Sequence, residues 1–494
     1  MEEIQQLVKL IERKGRLGGN QLINFSDEDI LETKFYFFLK NNEVYDDDLI
    51  MKHLYGSVDK KDAYKMLKSR FKKKVYNQLH FINLESYPDI VSNEINLNMI
   101  LGEANLLCRS VEYDLAEKKV QVAIKLAKKY CLTNEIVRGL EIYQRILIDG
   151  YYNKQKYDKC EKELQEYYLL LAYERESTTL YNEVFISISS EVDLRFNVLT
   201  HITEILDRIE KLWNKTGSPK IFKQYHKVKM GYYELTGQFL EQIDYVNEVN
   251  SRYNRGLINP SYFSLALNKY IISYSCLRVK EYEKGIEAAA DAKTLSEEDS
   301  HNWFSIMENY FLLHVHSKKY EQANDILNEV SSNSFFSNLD QNMKERWFLH
   351  TEFYNLLTGC TLSPKFEKIT YVINKDKKGF NIWLIILDFL TLLKHGKHEL
   401  LHREGERIRK YKTMHLDAKS DPRYKIFMKL LLLVVKEDFD PVKFRQKSRY
   451  LYTKLKETPP AGDAYAEVEI VPFEHLWEFI LNTLTEHKSK TIKA

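Results

Sequence analysis

Apolar side chains recur at every third or fourth position along much of this chain, which is the spacing of one face of an α-helix. Four such stripes are Ala116, Val120, Ala123, Ala127 and Tyr130; Phe263, Leu267, Tyr270, Tyr274 and Leu277; Trp303, Met307, Tyr310 and His314; and Tyr320, Ala323, Leu327 and Val330. The second stripe predicts a helix over 261–279, which a short turn joins to another helix over 282–295. The last two stripes predict a further hairpin, with helices over 302–316 and 320–330.

A short signature marks the start of many of the second helices: a small polar linker, an aromatic residue, and then an acid or amide. Its aromatic residues are Tyr113, Tyr157, Phe239, Tyr282, Tyr320 and Phe439. They are 44, 82, 43, 38 and 119 residues apart, and with one or two steps skipped these gaps fit a unit of about 41 residues. Because a lone hairpin cannot cover its apolar stripe, self-similarity at this scale predicts hairpins that stack on one another.

Three of these turns resemble those of tetratricopeptide repeats, in which a small or polar residue precedes an aromatic residue, an acid and an alanine. The matching segments are Lys318-Lys319-Tyr320-Glu321-Gln322-Ala323, Val111-Glu112-Tyr113-Asp114-Leu115-Ala116 and Lys280-Glu281-Tyr282-Glu283-Lys284-Gly285. The match is confined to the turns, and the spacing exceeds the family unit of about 34 residues. The resemblance implies an all-α fold: a right-handed superhelical solenoid of helical hairpins, with helical caps and a peptide-binding concave face.

The pattern divides the chain into four segments. These are an N-terminal segment, 1–20; a basic helical region, 21–88; the tetratricopeptide-like repeats, 89–456; and a C-terminal capping helix and tail, 457–494. In the last segment a helix is predicted from Pro472 to about Thr485, followed by a polar, basic tail that is expected to fray from His487 onwards. Terminal repeats need an atypical outer face, which favours a cap at this end.

The composition limits location and chemistry. Through bulk electrostatics, the net charge of +2 favours neither nucleic acid nor basic targets. Five cysteines lie far apart, without metal-ligand spacing, which is typical of buried thiols in a reducing compartment. The chain shows no secretory signal, and its most apolar run, Phe380 to Leu393, is too short to span a bilayer. These features predict a cytoplasmic protein with no membrane segment.

One segment matches the H-E-x-x-H pattern of zinc hydrolases, His398-Glu399-Leu400-Leu401-His402. On a helix this spacing places two imidazoles one turn apart, with the glutamate as general base. Ile408, however, occupies the position where the metzincin pattern has its third histidine. His398 also falls on the repeat spacing as a turn aromatic, so hairpin packing explains it without metal. The alternatives are a zinc hydrolase, or a non-catalytic metal site completed by His395 or His415.

A second candidate site is the basic helix predicted from about Asp59 to Ile82. The candidate contacts to nucleic acid are Lys65, Lys68, Arg70, Lys72, Lys73 and Lys74. With the preceding helices, the region 46–82 resembles a helix-turn-helix with a basic recognition helix, which some bacterial transcription regulators join to tetratricopeptide-like repeats. No β-wing is evident after this helix, and its charges surround it instead of lining one face. The alternative is a solvated helix in a capping bundle.

Together these patterns favour a non-enzymatic scaffold or adaptor that captures a peptide or helix of a partner protein in a concave groove. Polar positions of first helices outside the apolar stripes, such as Asn268 and Asn309, are the expected groove residues. The runner-up is a nucleic-acid-associated transcriptional regulator that uses 46–82 for contact and the repeats as a sensor. No cofactor is predicted, because the sequence lacks the glycine-rich motifs of nucleotide and dinucleotide sites.

Overall fold

A computed structural model describes residues 1–14, 30–42, 46–85, 87–189, 199–360, 378–416, 422–458 and 468–493. Within these ranges the chain forms 21 α-helices and no strand, and helices that follow one another in sequence pack in pairs. The all-α prediction is therefore confirmed for the described residues. The chain divides into two compact units, Met1–Ala172 and Tyr173–Ala494, with the boundary inside one long helix, Lys154–Ser189.

The first unit contains seven complete helices and the beginning of an eighth among its described residues. They are α1 (Glu2–Lys14), α2 (Leu31–Asn41), α3 (Asp47–Tyr55), α4 (Lys61–Gln78), α5 (Asp89–Arg109), α6 (Tyr113–Lys129), α7 (Thr133–Asp149) and α8 (Lys154–Ser189). Ile4, Val8 and Ile11 of α1 share a buried cluster with Phe35 of α2 and Phe71 of α4. The N-terminal helix thus belongs to the same core as the basic helical region, although the sequence pattern separates the two segments.

The second unit contains the rest of α8 and thirteen further helices among its described residues. They are α9 (Ile202–Thr216), α10 (Pro219–Leu235), α11 (Phe239–Asn254), α12 (Leu265–Val279), α13 (Tyr282–Thr294), α14 (His301–His316), α15 (Tyr320–Ser332), α16 (Gln341–Thr358), α17 (Lys378–Lys394), α18 (His398–His415), α19 (Pro422–Lys436), α20 (Pro441–Glu457) and α21 (Phe473–Lys493). The two predicted hairpins correspond to α12–α13 and α14–α15. α12 begins later than predicted because the Ser264 hydroxyl caps it, accepting a hydrogen bond from Leu267 N at 3.2 Å.

Five of the turns between paired helices share one backbone geometry. Two positions before the aromatic residue the backbone is left-handed, with φ between 60° and 69° at Val111, Gly237, Lys280, Lys318 and Gly396. In each case the next residue donates its N–H to the carbonyl five positions back, as Lys319 N does to His314 O at 2.8 Å. This bonding satisfies the last carbonyls of the first helix. At these five turns the hairpin is therefore closed by only a few residues, and the aromatic residue starts the next helix. The prediction is wrong at Tyr157 and Phe439, because α8 begins earlier, at Lys154, and α20 begins later, at Pro441.

The C-terminal helix α21 is longer than the sequence predicts. It continues to Lys493 instead of ending near Thr485, so the expectation of a frayed tail from His487 is wrong. Nε2 of His487 lies 3.2 Å from the carbonyl oxygen of Lys394, at the end of α17, and Lys488 Nζ lies 2.8 Å from Asp440, just before α20. These contacts join His487 and Lys488 of α21 to neighbouring elements. The polar composition of the tail gives no sign of them, because the partners are distant in sequence.

Candidate functional sites

The two histidines of the zinc-like pattern lie on α18 beside Phe439. His398 is the first residue of the helix, and its ring stacks on Phe439 with the ring centroids 4.1 Å apart. The ring of His402, one turn later, lies edge-on to the same phenyl ring at 5.6 Å. Burial lowers the pKa of His398, and the neighbouring His487 lowers it further. Both imidazoles therefore pack on Phe439 at a hairpin turn.

Among the described residues, this pair and the nearby His487 do not form a metal site. The described residues contain no group of three histidine, cysteine, aspartate or glutamate side chains that could hold a metal ion. His415, a candidate third ligand, lies at the end of α18 with its ring 4.9 Å from that of Tyr411. His395 lies in the turn that precedes α18. The structure thus brings the two pattern histidines onto one aromatic ring, and the zinc hydrolase stays an untested hypothesis.

The predicted nucleic-acid contacts on α4 fall into two sets. The first set forms ion pairs within the N-terminal bundle: Lys68 with Asp47 at 2.7 Å, Lys72 with Glu3 at 2.6 Å, and Lys74 with Glu32. The three carboxylates belong to α3, α1 and α2, so these lysines join α4 to each of its neighbours. Their ammonium groups are therefore partly neutralised by these carboxylates before any phosphate is met.

The second set on α4 is exposed. Lys65, Arg70 and Lys73 face solvent, and the guanidinium of Arg70 lies 3.5 Å from Glu32. The opposite face of the helix is buried and consists of Tyr64, Leu67, Phe71, Val75 and Gln78. Because the apolar residues occupy one side, the cations that remain accessible form an outer edge instead of surrounding the helix.

Asn268 and Asn309 lie inside the helix packing of the second unit. Asn268 is 1% exposed, with its Oδ1 2.9 Å from His226 Nε2, and its Nδ2 donates to Asn250 Oδ1 at 2.8 Å. Asn309 is also buried, and its amide donates to the Ser273 hydroxyl. A buried amide without partners costs roughly 1–3 kcal/mol, so these bonds stabilise the packing of successive hairpins. The placement of both residues on an open groove is therefore corrected: neighbouring side chains occupy their polar atoms.

A partly exposed row of aromatic and charged side chains crosses α10, α12, α14 and α16, the first helices of successive hairpins. We call this surface the tyrosine seam, and its members are Glu234, Tyr270, Tyr274, Arg278, Glu308 and Arg346. The rings of Tyr270 and Tyr274 are 6.4 Å apart, and Arg278 donates to the Tyr274 hydroxyl at 2.8 Å. Farther along, Arg346 Nε lies 3.1 Å from the Glu308 carboxylate. Hydroxyl, carboxylate and guanidinium groups are thus presented side by side.

The protonation states of the seam follow from its half-buried position. Burial, the charge of Glu308 and that of Glu234 raise the pKa of Tyr270, and burial is the main reason that the pKa of Tyr274 rises to about 12. Burial by itself would raise the pKa of Glu308, but the hydrogen bond from His350 and the charge of Arg346 bring it below its usual range. At neutral pH the seam therefore carries two protonated tyrosine hydroxyls beside an anionic Glu308.

The sequence pattern missed the seam because it assigned Tyr270 and Tyr274 to the apolar stripe of their helix. Amphipathic rings fit that stripe equally well whether their hydroxyl ends reach solvent or not. A second signal was present in the spacing: Tyr270 follows Glu234 by 36 residues, Glu308 follows Tyr270 by 38 residues, and Arg346 follows Glu308 by 38 residues. Polar residues that recur at nearly the repeat length indicate one shared surface of a helical array.

Two further findings bear on function. Among the described helices, none combines the length and the apolar character needed to cross a bilayer. No protein-family model, curated protein or solved structure matches this chain. The candidate binding surfaces of this chain are therefore the tyrosine seam and the exposed edge of α4.

Proposed function

We propose that this chain is a non-enzymatic scaffold or adaptor that binds a peptide or helix of a partner protein at the tyrosine seam. The observation that carries the proposal is the seam itself, in which the partly exposed Tyr270 lies beside Tyr274 and near the Glu308–Arg346 pair. Tyrosine and arginine are among the residues that most often dominate the energy of protein interfaces. A row of such residues across four helices suits an elongated ligand.

The seam is chemically matched to a polypeptide. Its tyrosine hydroxyls donate and accept hydrogen bonds, Glu308 accepts them and Arg346 donates them, which are the functions that a peptide backbone and polar side chains require. The tyrosine rings add apolar contact area while losing little conformational freedom. Buried hydrogen bonds such as those of Asn268 and Asn309 fix the helices beneath. A surface ordered before the partner arrives loses less entropy on binding.

The wider architecture in this proposal is a right-handed solenoid of tetratricopeptide-like hairpins. Sequential pairing of the helices and the recurrent left-handed turn before the second helices support it. Stacked hairpins of this kind create extended binding surfaces. We expect the protein to act in the cytoplasm, where its five cysteines stay reduced.

A variant with Tyr270→Ser and Arg346→Ala is expected to lose its main protein partner in affinity capture from a nuclease-treated native lysate. The changes remove an aromatic contact and a guanidinium group on two different helices. Truncation of one interface hot spot costs about 2 kcal/mol or more, so the double change should weaken binding by at least tenfold. The measurement is quantitative mass spectrometry of the proteins captured by the wild type and by the variant.

The matched control for this experiment is Lys211→Ala with Asn247→Ser, two exposed positions on α9 and α11. This control should recover the same partner as the wild type, and thermal unfolding should show that both variants remain folded. Recovery of the same proteins by the seam variant, at undiminished yield, contradicts the proposal. Loss of all captured proteins on nuclease treatment contradicts it as well, because the partner is then held through nucleic acid.

One observation favours a second candidate function, contact with nucleic acid through the exposed edge of α4. Lys65, Arg70 and Lys73 are exposed on one helix, where Arg70 has a contact of 3.5 Å with Glu32, whereas Lys68, Lys72 and Lys74 form shorter ion pairs. Cations that meet phosphates release bound counterions, so such binding weakens steeply as salt concentration rises. In this alternative the repeats of the second unit sense a partner and the first unit contacts the nucleic acid.

Changing Lys65, Arg70 and Lys73 to Glu is expected to abolish binding to a 20-base-pair DNA duplex, because the accessible cations are replaced by charges that repel phosphate. Fluorescence anisotropy at several salt concentrations measures the affinity and its salt slope. The matched control changes the exposed Lys118, Lys125 and Lys129 of α6 to Glu. If the α4 variant keeps the affinity of the wild type for the duplex, this second function is excluded.

A further inference from the structure

A cleft of about 650 Å³ lies between α18 and α19 in the second unit. This volume is within the usual range of ligand sites in proteins. Its apolar lining consists of Leu432, Leu433 and Val435 of α19 with Leu451 of α20. The charged groups that line it are Arg403, Arg409, Lys429 and Lys436, against a single carboxylate, Glu406. The cleft therefore combines an apolar wall with a strong excess of positive charge.

The two helices run in opposite directions along the cleft. A Cβ atom placed on Gly405 would lie 3.6 Å from Val435 and 3.9 Å from Leu432, so the helices come close at this level. Burial lowers the pKa of Lys412 and the charges of Lys429 and Lys425 lower it further, so the end of α18 lies near the start of α19. It follows that Arg403 and Lys436 lie toward one end of the cleft.

Arg409 and Lys429 lie toward the other end of the cleft. The rim cations on each helix are six or seven residues apart, which corresponds to about 9–10 Å along a helix axis. The cleft is thus bordered by a pair of cations at each end, with apolar residues between them. This arrangement sets a spacing that an anionic ligand has to match.

The positive charge at the cleft is largely uncompensated. The residues that line the cleft include four Lys and Arg against one Glu, in a chain whose net charge is only +2. Arg409 pairs with Glu406, but both side chains are exposed, so the pair contributes little. Burial and the nearby Lys429, Lys425 and Arg409 lower the pKa of Lys412. Like charges crowded in this way repel one another, and an anionic ligand would relieve the repulsion.

We propose that the cleft between α18 and α19 binds an acidic, amphipathic helix of a partner protein. The apolar face of that helix contacts Leu432, Leu433 and Val435, and acidic residues beside this face pair with the rim cations. Acidic residues seven positions apart on a helix are about 10 Å apart, which matches the separation of Lys429 and Lys436. This site and the tyrosine seam consist of different residues, so either can bind without the other.

Two other anionic ligands fit the cleft less well. Single-stranded nucleic acid gains much of its affinity by stacking bases on aromatic side chains. No Phe, Tyr or Trp is among the residues that line the cleft, and the one aromatic ring there, that of His402, packs edge-on against Phe439. An anionic membrane surface binds proteins whose apolar side chains project outward into the lipid. Here the apolar side chains line a recess bordered by the cations, so a ligand has to enter it. A helix with one apolar face and acidic flanks matches both the apolar lining of the cleft and the cations at its border.

The test is selection from a phage-displayed library of random 16-residue peptides on the full-length wild-type protein, with counter-selection on Lys429→Glu/Lys436→Glu. Both lysines are exposed, so this variant is expected to fold. Enriched peptides should carry a net negative charge and apolar residues at three- and four-residue spacing. The strongest one, labelled with fluorescein, should lose at least tenfold in affinity for the charge variant and for Leu433→Gln. The control Lys211→Glu/Lys227→Glu, with the same change of charge elsewhere, should keep the wild-type affinity.

Several outcomes overturn the proposal. Failure to enrich any peptide, or enrichment without an acidic excess, shows that the cleft does not select this ligand. Equal affinity of the labelled peptide for the wild type and for Lys429→Glu/Lys436→Glu shows that the rim does not bind it. Stronger binding at these lysines by a 16-nucleotide single strand or by phosphatidylserine vesicles assigns the cleft to nucleic acid or to a lipid surface instead. Circular dichroism of each variant verifies that it is folded.

Discussion

Replacing Arg423 with Met is expected to lower the free energy of unfolding of the second unit by about 3–5 kcal/mol, the usual result of removing one partner from a buried ion pair. Arg423 is 4% exposed, and its guanidinium donates to Glu469 at 2.6 and 3.1 Å and to Glu474 at 2.9 Å. It also donates to the carbonyl oxygens of Leu455 and Thr458, at 2.6 and 2.8 Å. Methionine fills similar space but removes five hydrogen bonds to these acceptors and leaves the two largely buried carboxylates without their cation.

The same network positions the C-terminal helix. Glu469 accepts the backbone N–H of Phe473 at the start of α21, at 3.0 Å, and the Phe473 ring stacks on Phe427 with centroids 4.3 Å apart. Burial by itself would lower the pKa of Arg423, but Glu469 and Glu474 raise it above its usual value, so the guanidinium stays charged. Loss of this charge therefore weakens the attachment of α21 to α19 as well as the ion pair.

Guanidinium chloride unfolding followed by tryptophan fluorescence measures this effect in the second unit alone, because all five tryptophans lie there: Trp213, Trp303, Trp347, Trp383 and Trp477. Adding Glu469→Gln to Arg423→Met removes one of the uncompensated charges and should recover part of the lost stability. If Arg423→Met costs less than about 1 kcal/mol, the network contributes no more than an exposed ion pair and the expectation fails.

Acidification from pH 6.5 to pH 4 is expected to destabilise the second unit by several kcal/mol. Burial lowers the pKa of His226, His314 and His316 to about 4 in each case. In the unfolded chain these imidazoles titrate near pH 6.5, so between the two values the unfolded state binds more protons than the folded state. Stability is therefore full above pH 6.5 and decreases as the pH falls toward 4, by up to about 3 kcal/mol for each histidine.

His314→Leu isolates one of the three contributions. Among the described residues neither ring nitrogen of His314 has a hydrogen-bond partner, so the apolar replacement breaks no such bond. The unfolding midpoint at pH 7.5 should stay the same or rise, and the loss of stability between pH 6.5 and 4 should be roughly a third smaller than in the wild type. The measurement is a series of tryptophan-monitored unfolding curves across this pH range. If the variant loses as much stability on acidification as the wild type, the pKa of His314 is not lowered in the folded protein and the expectation fails.

The helices and their turns could be predicted because both depend on residues close together in sequence. The start of α13 at Tyr282 and of α15 at Tyr320 agrees with the prediction. A left-handed residue such as Lys318 and a hydrogen bond to a carbonyl five positions back define each turn, so about six residues suffice to specify it. The tetratricopeptide-like turn pattern and the 3.6-residue stripe can be recognised in the sequence because each depends only on nearby residues.

The candidate sites could be predicted only in part. The basic character of α4 was visible, but the pairing of Lys72 with Glu3 joins residues 69 positions apart, and no local pattern indicates it. The zinc-like histidines were correctly related to the repeat, since the ring of His398 stacks on Phe439 at the turn. The prediction that Asn268 and Asn309 line an open groove is wrong, because both are buried. A polar residue outside an apolar stripe can still face a polar side chain of a neighbouring helix.

For this protein, amino-acid order alone determined the turns before Tyr113, Tyr282 and Tyr320 and the buried face of α6, α14 and α15. Those properties follow from backbone dihedral preferences and from burial of one helix face, and both act over a few residues. In α12 the predicted stripe is not the buried face, since it includes Leu267, which is 37% exposed. Tertiary packing decided which polar groups became internal, such as Asn268, and which stayed accessible, such as Tyr270 and Lys429. The reason is that exposure at these positions depends on which neighbouring helix covers them, and that contact joins residues distant in the chain.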